Sequence, residues 1–373
     1  MGIFYTNSLD QTSLANWDHI AIQIESKINR IFYKQSSMFG RAILVNTFIE
    51  PKLIYPATSL DPPVEIVKNF KKIVRAFIFK GTIPRIRHNT LILSKMEGGI
   101  NLHDIMSKII SFRLKFLYKV LNNPNEFPLA CYFLKGVLNT LLDNTYEAND
   151  DTTPQFYIIM AKIYQEYKIL FNVSNYKTIY FNIIQAKKEP LDNQIKRVTA
   201  TTDIPAIFKD IHENLFTTPT QKQIIYRLLF GITPTSEGLA KRHKRIFFCK
   251  LCSIEQETEV HIFYDCLCIN RLKVELLKVL NLSDNSSNNL FEGIFLNVLP
   301  TESNKSVYFL KLAFIAVYRD AIWTARNHAT HNNQKYSSDQ LVSIFINKTK
   351  YLLKLFEGNE AVQVYLDINR SNQ

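Results

Sequence analysis

The sequence predicts a mostly α-helical protein of two lobes, the second of which contains a small Cys-Cys-His-Cys zinc knuckle. Three observations carry this. Apolar residues recur at three- and four-residue steps through long stretches, which is the period of a helix face. A polar, acidic segment without periodicity, TYEANDDTT, interrupts them at residues 145–153. Four of the five cysteines, Cys249, Cys252, Cys266 and Cys268, crowd into one short segment around His261, while Cys131 stands alone. With 373 residues the chain exceeds the usual single-domain size, and 46% hydrophobic against 21% charged residues is globular rather than disordered usage. The expected division is a basic helical lobe at 1–144, a linker at 145–153 and a helical lobe at 154–373, with the knuckle at about 246–270.

The first helix begins near Leu14, where Leu14, Trp17, Ile20, Ala21, Ile24, Ile28 and Ile31 trace one stripe and Lys27, Arg30 and Lys34 lie off it. A second helix is expected from about Ser37 to Pro51. A third runs from about Pro63 to Lys80, with Ile66, Val67, Phe70, Ile73, Val74, Phe77 and Ile78 on its apolar face. Opposite that face, Lys68, Lys71, Lys72 and Arg75 follow at i, i+3, i+4 and i+7, so their charges project together. Read alone, such a row is the solvated side of an amphipathic helix. Its neighbours Arg85, Arg87 and His88, and the hairpin-like stretch near 91–103 with its Gly98-Gly99 pair, extend it into a basic turn. A further helix spans about Ile105 to Asn122. Beyond the linker, helical patterns cover about Phe156 to Phe171, Gln221 to Gly231, Leu272 to Leu280 and Ser306 to His328.

Charge narrows the function. Lys and Arg number 45 against 33 Asp and Glu, a net charge of +12 with a pI near 9.3, which favours polyanionic partners. The amino-terminal segment lacks the pattern of a secretory signal, and no stretch has the roughly 18 uninterrupted apolar residues of a membrane span. An intracellular protein is expected, in nucleus or cytoplasm. In that reducing setting clustered cysteines point to metal rather than to disulfides.

The spacing C-x2-C-x8-H-x4-C over Cys249, Cys252, His261 and Cys266 supplies three thiolates and one imidazole, a complete tetrahedral set for one structural zinc ion. With every position filled by protein there is no open site for a reacting water. Cys268 is the alternative fourth ligand. His328 and His331 form a second pair, better explained as solvated side chains at a helix end.

These segments together resemble the carboxy-terminal part of reverse transcriptases from LINE-type, non-LTR retrotransposons. Four blocks occur in that family's order: NWDHIAIQIESKINR leading to FGRAILVNTFIEPKLIYP; VEIVKNFKKIVRAFIFKG leading to LILSKMEGGINLHDI; RLLFGITPTSEGLAKRHKRIFFCKLC with its ET-x2-H-x4-C continuation; and IWTARN at Ile322 to Asn327. The resemblance favours Cys266 as fourth ligand. It implies a thumb-like first lobe, and RNA or DNA binding through Lys68, Lys71, Lys72, Arg75, Arg85, Arg87, Lys95, Lys241, Arg242, Lys244 and Arg245. Ser94 and Gly98 to Asn101 are further contact candidates, and Phe247 or Phe248 is available for stacking. The polymerase palm's strand-borne aspartate pair is missing; the only Asp-Asp pair, Asp150-Asp151, lies in the polar linker. The chain is therefore expected to be inactive alone, with a palm-containing chain as a further partner. The competing expectation is a retroelement remnant that packs against protein and binds no nucleic acid.

Overall fold

In α4 (Val64–Phe79) the apolar face anticipated from the sequence is buried through Val67, Phe70, Val74, Phe77 and Ile78, and the helix stops where Lys80 and Gly81 turn left-handed. The Gly81 amide then reaches back to the carbonyl of Ala76 at 2.8 Å, closing the end. The computed structural model describes residues 9–32, 36–81, 86–142, 154–170, 175–191, 194–198, 202–235, 247–283 and 287–371. The described residues are mostly helical and contain no strand; one antiparallel bridge, Phe248 to Gln256, stands alone. None of their helices is long and apolar enough to cross a membrane.

The chain forms two units, the first comprising residues 1–83, 87–93 and 99–189, the second residues 84–86, 94–98 and 190–373. In the first, α1 (Leu9–Phe32) buries Trp17, Ile20, Ile24 and Ile28. The helix expected to end at Pro51 continues instead: α2 (Met38–Leu44) passes through a π-helical turn, Val45–Ile49, into α3 (Glu50–Ala57). Pro51 has no N–H and its ring crowds the preceding turn, and the wider turn makes room for it. After α5 (His88–Leu91) and α6 (Ile105–Asn122) come α7 (Pro128–Leu142), α8 (Gln155–Glu166) and α9 (Tyr176–Ala186).

Two expectations change here. The hairpin-like stretch near 91–103 is a coiled turn: the amides of Ile100 and Leu102 both reach the carbonyl of Leu91 and that of Asn101 reaches Leu93, so no ladder forms. The units also divide at Glu189 rather than at 145–153, a segment outside the described residues. The reason is packing. Met160 of α8 and Ile179 and Ile183 of α9 share one core with Leu114, Leu117 and Val120 of α6 and Cys131 and Leu134 of α7.

The second unit is built around one helix. It holds α10 (Ile204–Glu213), α11 (Pro219–Leu229), α12 (Asn270–Leu280), α13 (Ser287–Leu296), α14 (Lys305–His331), α15 (Ser338–Leu355) and α16 (Glu360–Ser371). The middle of α14 is buried on every side, with Leu310, Phe314, Ile315, Tyr318 and Ile322 all inaccessible, because α11, α12, α13, α15 and α16 pack around it. Burial therefore extends well beyond one face of this helix.

Candidate metal centre

The cysteine loop is shaped by backbone bonds before any metal is considered. The Cys249 amide donates to the carbonyl of Glu255 at 2.7 Å and that of Glu257 to Phe247 at 3.1 Å, pinching residues 249–256 into a loop. Inside it the Ser253 amide closes on the carbonyl of Cys249 at 2.8 Å, with Ser253 in the left-handed region at φ 61°. This turn aims the amides of Leu251 and Ile254 at the sulfurs of Cys249 and Cys252, at 3.4 and 3.5 Å. Amide donors of this kind stabilise a thiolate.

The other two ligands come from a second short element. His261 opens a π-helical turn, His261–Asp265, and Cys266 follows it directly, its amide bonded to the carbonyl of His261 at 2.8 Å. The donor atoms of Cys249, Cys252, His261 and Cys266 all lie within 4.8 Å of one another, and Cys252 Sγ is 3.3 Å from His261 Nε2. Glu255 accepts from Nδ1 of His261 at 3.0 Å, which leaves the Nε2 lone pair facing the sulfurs. Hydrogen bonding from the Cys266 thiol pulls Cys249 down against the effect of burial, and the same contact with burial pushes Cys266 up. The four groups can hold one metal ion, and they are the four anticipated from spacing. Cys268 stands outside the group; its carbonyl accepts from Ser338 Oγ at 2.9 Å and burial raises its thiol.

Two buried carboxylates fix the segment between the ligand pairs, and sequence reasoning missed both. Glu257, 0% exposed, receives Nη2 of Arg326 at 2.7 Å and the amide of Lys250 at 3.2 Å. Glu259 receives Arg197 at 3.0 Å, with Lys196 at 3.6 Å, and the amide of Thr233 at 3.3 Å. Arg326 also lies over the Trp323 ring, and Trp323 stacks on Phe263 with ring centres 6.2 Å apart. Tyr318 donates to the carbonyl of Phe263 at 2.9 Å. GITPT, ETEVH and IWTARN therefore meet at one place: Thr233, Glu257, Glu259, Trp323 and Arg326 all brace the loop that presents the ligands. The only available signal was an acid-x-acid pair just before a ligand histidine.

The anticipated basic residues are distributed differently. Lys68 is exposed and pairs with Glu65 of its own helix, Lys72 is exposed, and Arg75 is half-buried. Lys71 turns inward onto Asp104 at 3.3 Å, so the four do not form one free row. Arg87 pairs with Glu189. Lys95 is half-buried, and its charge adds to the effect of burial in lowering His212 and Lys222. Gly98 to Ile100 are buried, leaving Asn101 as the exposed end of that turn, and Ser94 donates to Glu97 at 2.7 Å. Phe248 is 55% exposed and Phe247 half-buried. Arg85, Lys241, Arg242, Lys244 and Arg245 lie outside the described residues, as does Asp150-Asp151.

Fold and site define a mostly helical protein with a Cys-Cys-His-Cys cluster that can hold one metal ion. No protein-family model matches the chain, and no curated protein matches it.

Proposed function

We propose that this chain binds RNA or DNA, that its Cys249–Cys252–His261–Cys266 cluster holds one structural zinc ion, and that it derives from the thumb and zinc-binding region of a LINE-type reverse transcriptase. Three thiolates and an imidazole suit zinc better than a hard cation, and a shell closed by protein suits bracing better than catalysis. On this reading residues 1–373 carry no polymerase centre of their own, and a palm-bearing chain is a partner.

The observation that carries the reading is the convergence on the metal loop. GITPT and the ligand block are the specific parts of the resemblance; the Thr233 amide joins them through Glu259, and Glu257 ties the ligand block to Arg326 of IWTARN. Net charge of +12 adds the electrostatic attraction that phosphate binding needs.

Titration of the purified chain with labelled RNA and DNA over a salt series tests it. Binding at low salt that weakens steeply is expected; six phosphate contacts on duplex DNA give a slope of log K against log salt of roughly −5. Absence of binding at low salt, or binding indifferent to salt, overturns it and favours the protein-packing remnant.

A further inference from the structure

The first unit holds a cationic cluster organised by a single carboxylate. Asp104, 2% exposed, caps α6 by accepting from the amide and hydroxyl of Ser107 at 3.3 and 2.6 Å. Its Oδ1 is met by Lys71 of α4 at 3.3 Å and by His88 of α5 at 3.2 Å, and its Oδ2 by Lys187 from the end of α9 at 2.8 Å. Lys187 also donates to Ser107 Oγ at 2.7 Å. The other buried carboxylate of this region, Glu50, is occupied by Lys108 at 2.9 Å and His103 at 2.6 Å. Three lysines therefore face two carboxylates, and the region keeps a net positive charge even with both histidines neutral.

We propose that Lys71 and Lys187, held on the two oxygens of Asp104, form a preorganised site for the phosphates of a nucleic-acid backbone. Asp104 is sealed, yet each lysine side chain remains 34% exposed. An ammonium carries three N–H donors. Lys71 spends one on Asp104, and Lys187 spends one on Asp104 and one on Ser107, so each retains donor capacity on its exposed side. A free surface lysine loses much rotamer freedom when it grips a phosphate. Here Asp104 has already fixed both side chains, which lowers that cost of binding. The exposed Lys68 and Lys72 lie on α4 within one turn of Lys71 and continue the charge along the helix. Ammonium groups act on phosphate as point charges, so the contact reads the backbone and not the bases.

This inference rests on the nucleic-acid reading above, and the experiment separates the two. Anisotropy titrations of the full chain with a labelled single-stranded oligonucleotide, over a salt series, compare wild type with Lys71→Gln, Lys187→Gln, Lys187→Arg and, as a charge-matched control in the other unit, Lys354→Gln. Each glutamine variant in the cluster is expected to weaken low-salt binding severalfold and to reduce the salt slope by about 0.7, the loss of one single-strand phosphate contact. Lys187→Arg and Lys354→Gln should keep the wild-type slope. Circular dichroism checks folding, and if Lys187→Gln unfolds, Lys71→Gln carries the comparison. Wild-type slopes in the folded glutamine variants overturn the site while leaving nucleic-acid binding intact. A wild-type chain that binds nothing at low salt removes both.

Discussion

Arg326 and Glu257, 69 residues apart, form a buried ion pair with Nη2 2.7 Å from Oε1. One member sits on α14 and the other in the segment between the two pairs of metal ligands. Removing the arginine strands a carboxylate in the interior, which costs far more than the net worth of the pair. Arg326→Met is expected to destabilise the second unit by about 3–5 kcal/mol, whereas Arg326→Met with Glu257→Gln should recover much of the loss. The chain has two tryptophans, Trp17 and Trp323. Denaturant unfolding followed by Trp323 fluorescence in a Trp17→Phe background reads the effect locally. Equal losses in the single and double variants would show that the charge pair does not hold the loop.

Metal occupancy follows from the donor set. The purified chain is expected to carry one zinc per molecule, and Cys252→Ser or Cys266→Ser to abolish stoichiometric binding and lower the melting temperature of the second unit. Thiols and imidazole bind metal only when deprotonated, so acid should release the ion. Elemental analysis and competition with a chromophoric chelator measure both. Stoichiometric chelation with unchanged melting would remove the structural role.

Glu255 is exposed and would pass for an ordinary loop acid, yet it fixes His261 through Nδ1 at 3.0 Å. Glu255→Gln is expected to leave the fold intact and weaken metal affinity by about tenfold or more, as loss of such an orienting carboxylate does. Chelator competition at constant pH reads it; wild-type affinity in the variant would show that the loop backbone alone sets the imidazole.

The ligands and the course of α6 were legible because each depends on local pattern: a two-residue cysteine gap makes a turn, and apolar steps of three and four make a face. The bounds Ile105–Asn122 match the expectation from periodicity. What escaped depends on residues far apart. Periodicity shows that Lys71 is off the apolar stripe of α4, but not that Asp104 waits beyond it. Met160, Ile179 and Ile183 look like core positions, yet only packing assigns them to α6 and α7 rather than to the metal-binding half. Glu257 reads as a surface acid until Arg326 is brought to it. The near-continuous burial of α14 is hidden for the same reason, since Arg319 and Arg326 break its apolar text while being buried themselves.

Burial in the second unit, and then the nearby Lys222 and Lys95, lower His212 to about 4. An unfolded histidine titrates near 6.5. Below that value the unfolded chain takes up a proton that the fold refuses until about pH 4, so the stability contributed by neutral His212 is present above pH 6.5 and is lost as pH falls toward 4. Allowing for its partial exposure, the loss is about 2 kcal/mol. His212→Gln should flatten this part of the stability profile, measured by urea unfolding at a series of pH values; an unchanged acid limb would assign it to other groups.

Gly99 gives the sharpest steric test in the first unit. A Cβ there would lie 1.9 Å from the carbonyl oxygen of Leu93, a backbone atom tied into the turn by the amide of Asn101 at 3.0 Å. No rotamer change relieves that overlap, and moving the carbonyl breaks the turn that leads into Asp104 and α6. Gly99→Ala is expected to cost about 3 kcal/mol or more. Gly81→Ala is the control, because nothing lies within 4 Å of its Cβ position and only the left-handed φ of 78° is strained. Backbone strain of that kind costs about 1–2 kcal/mol. Denaturation followed by circular dichroism should rank Gly99→Ala well below Gly81→Ala, and equal stability in the two would show that the 91–103 turn has room the structure denies it.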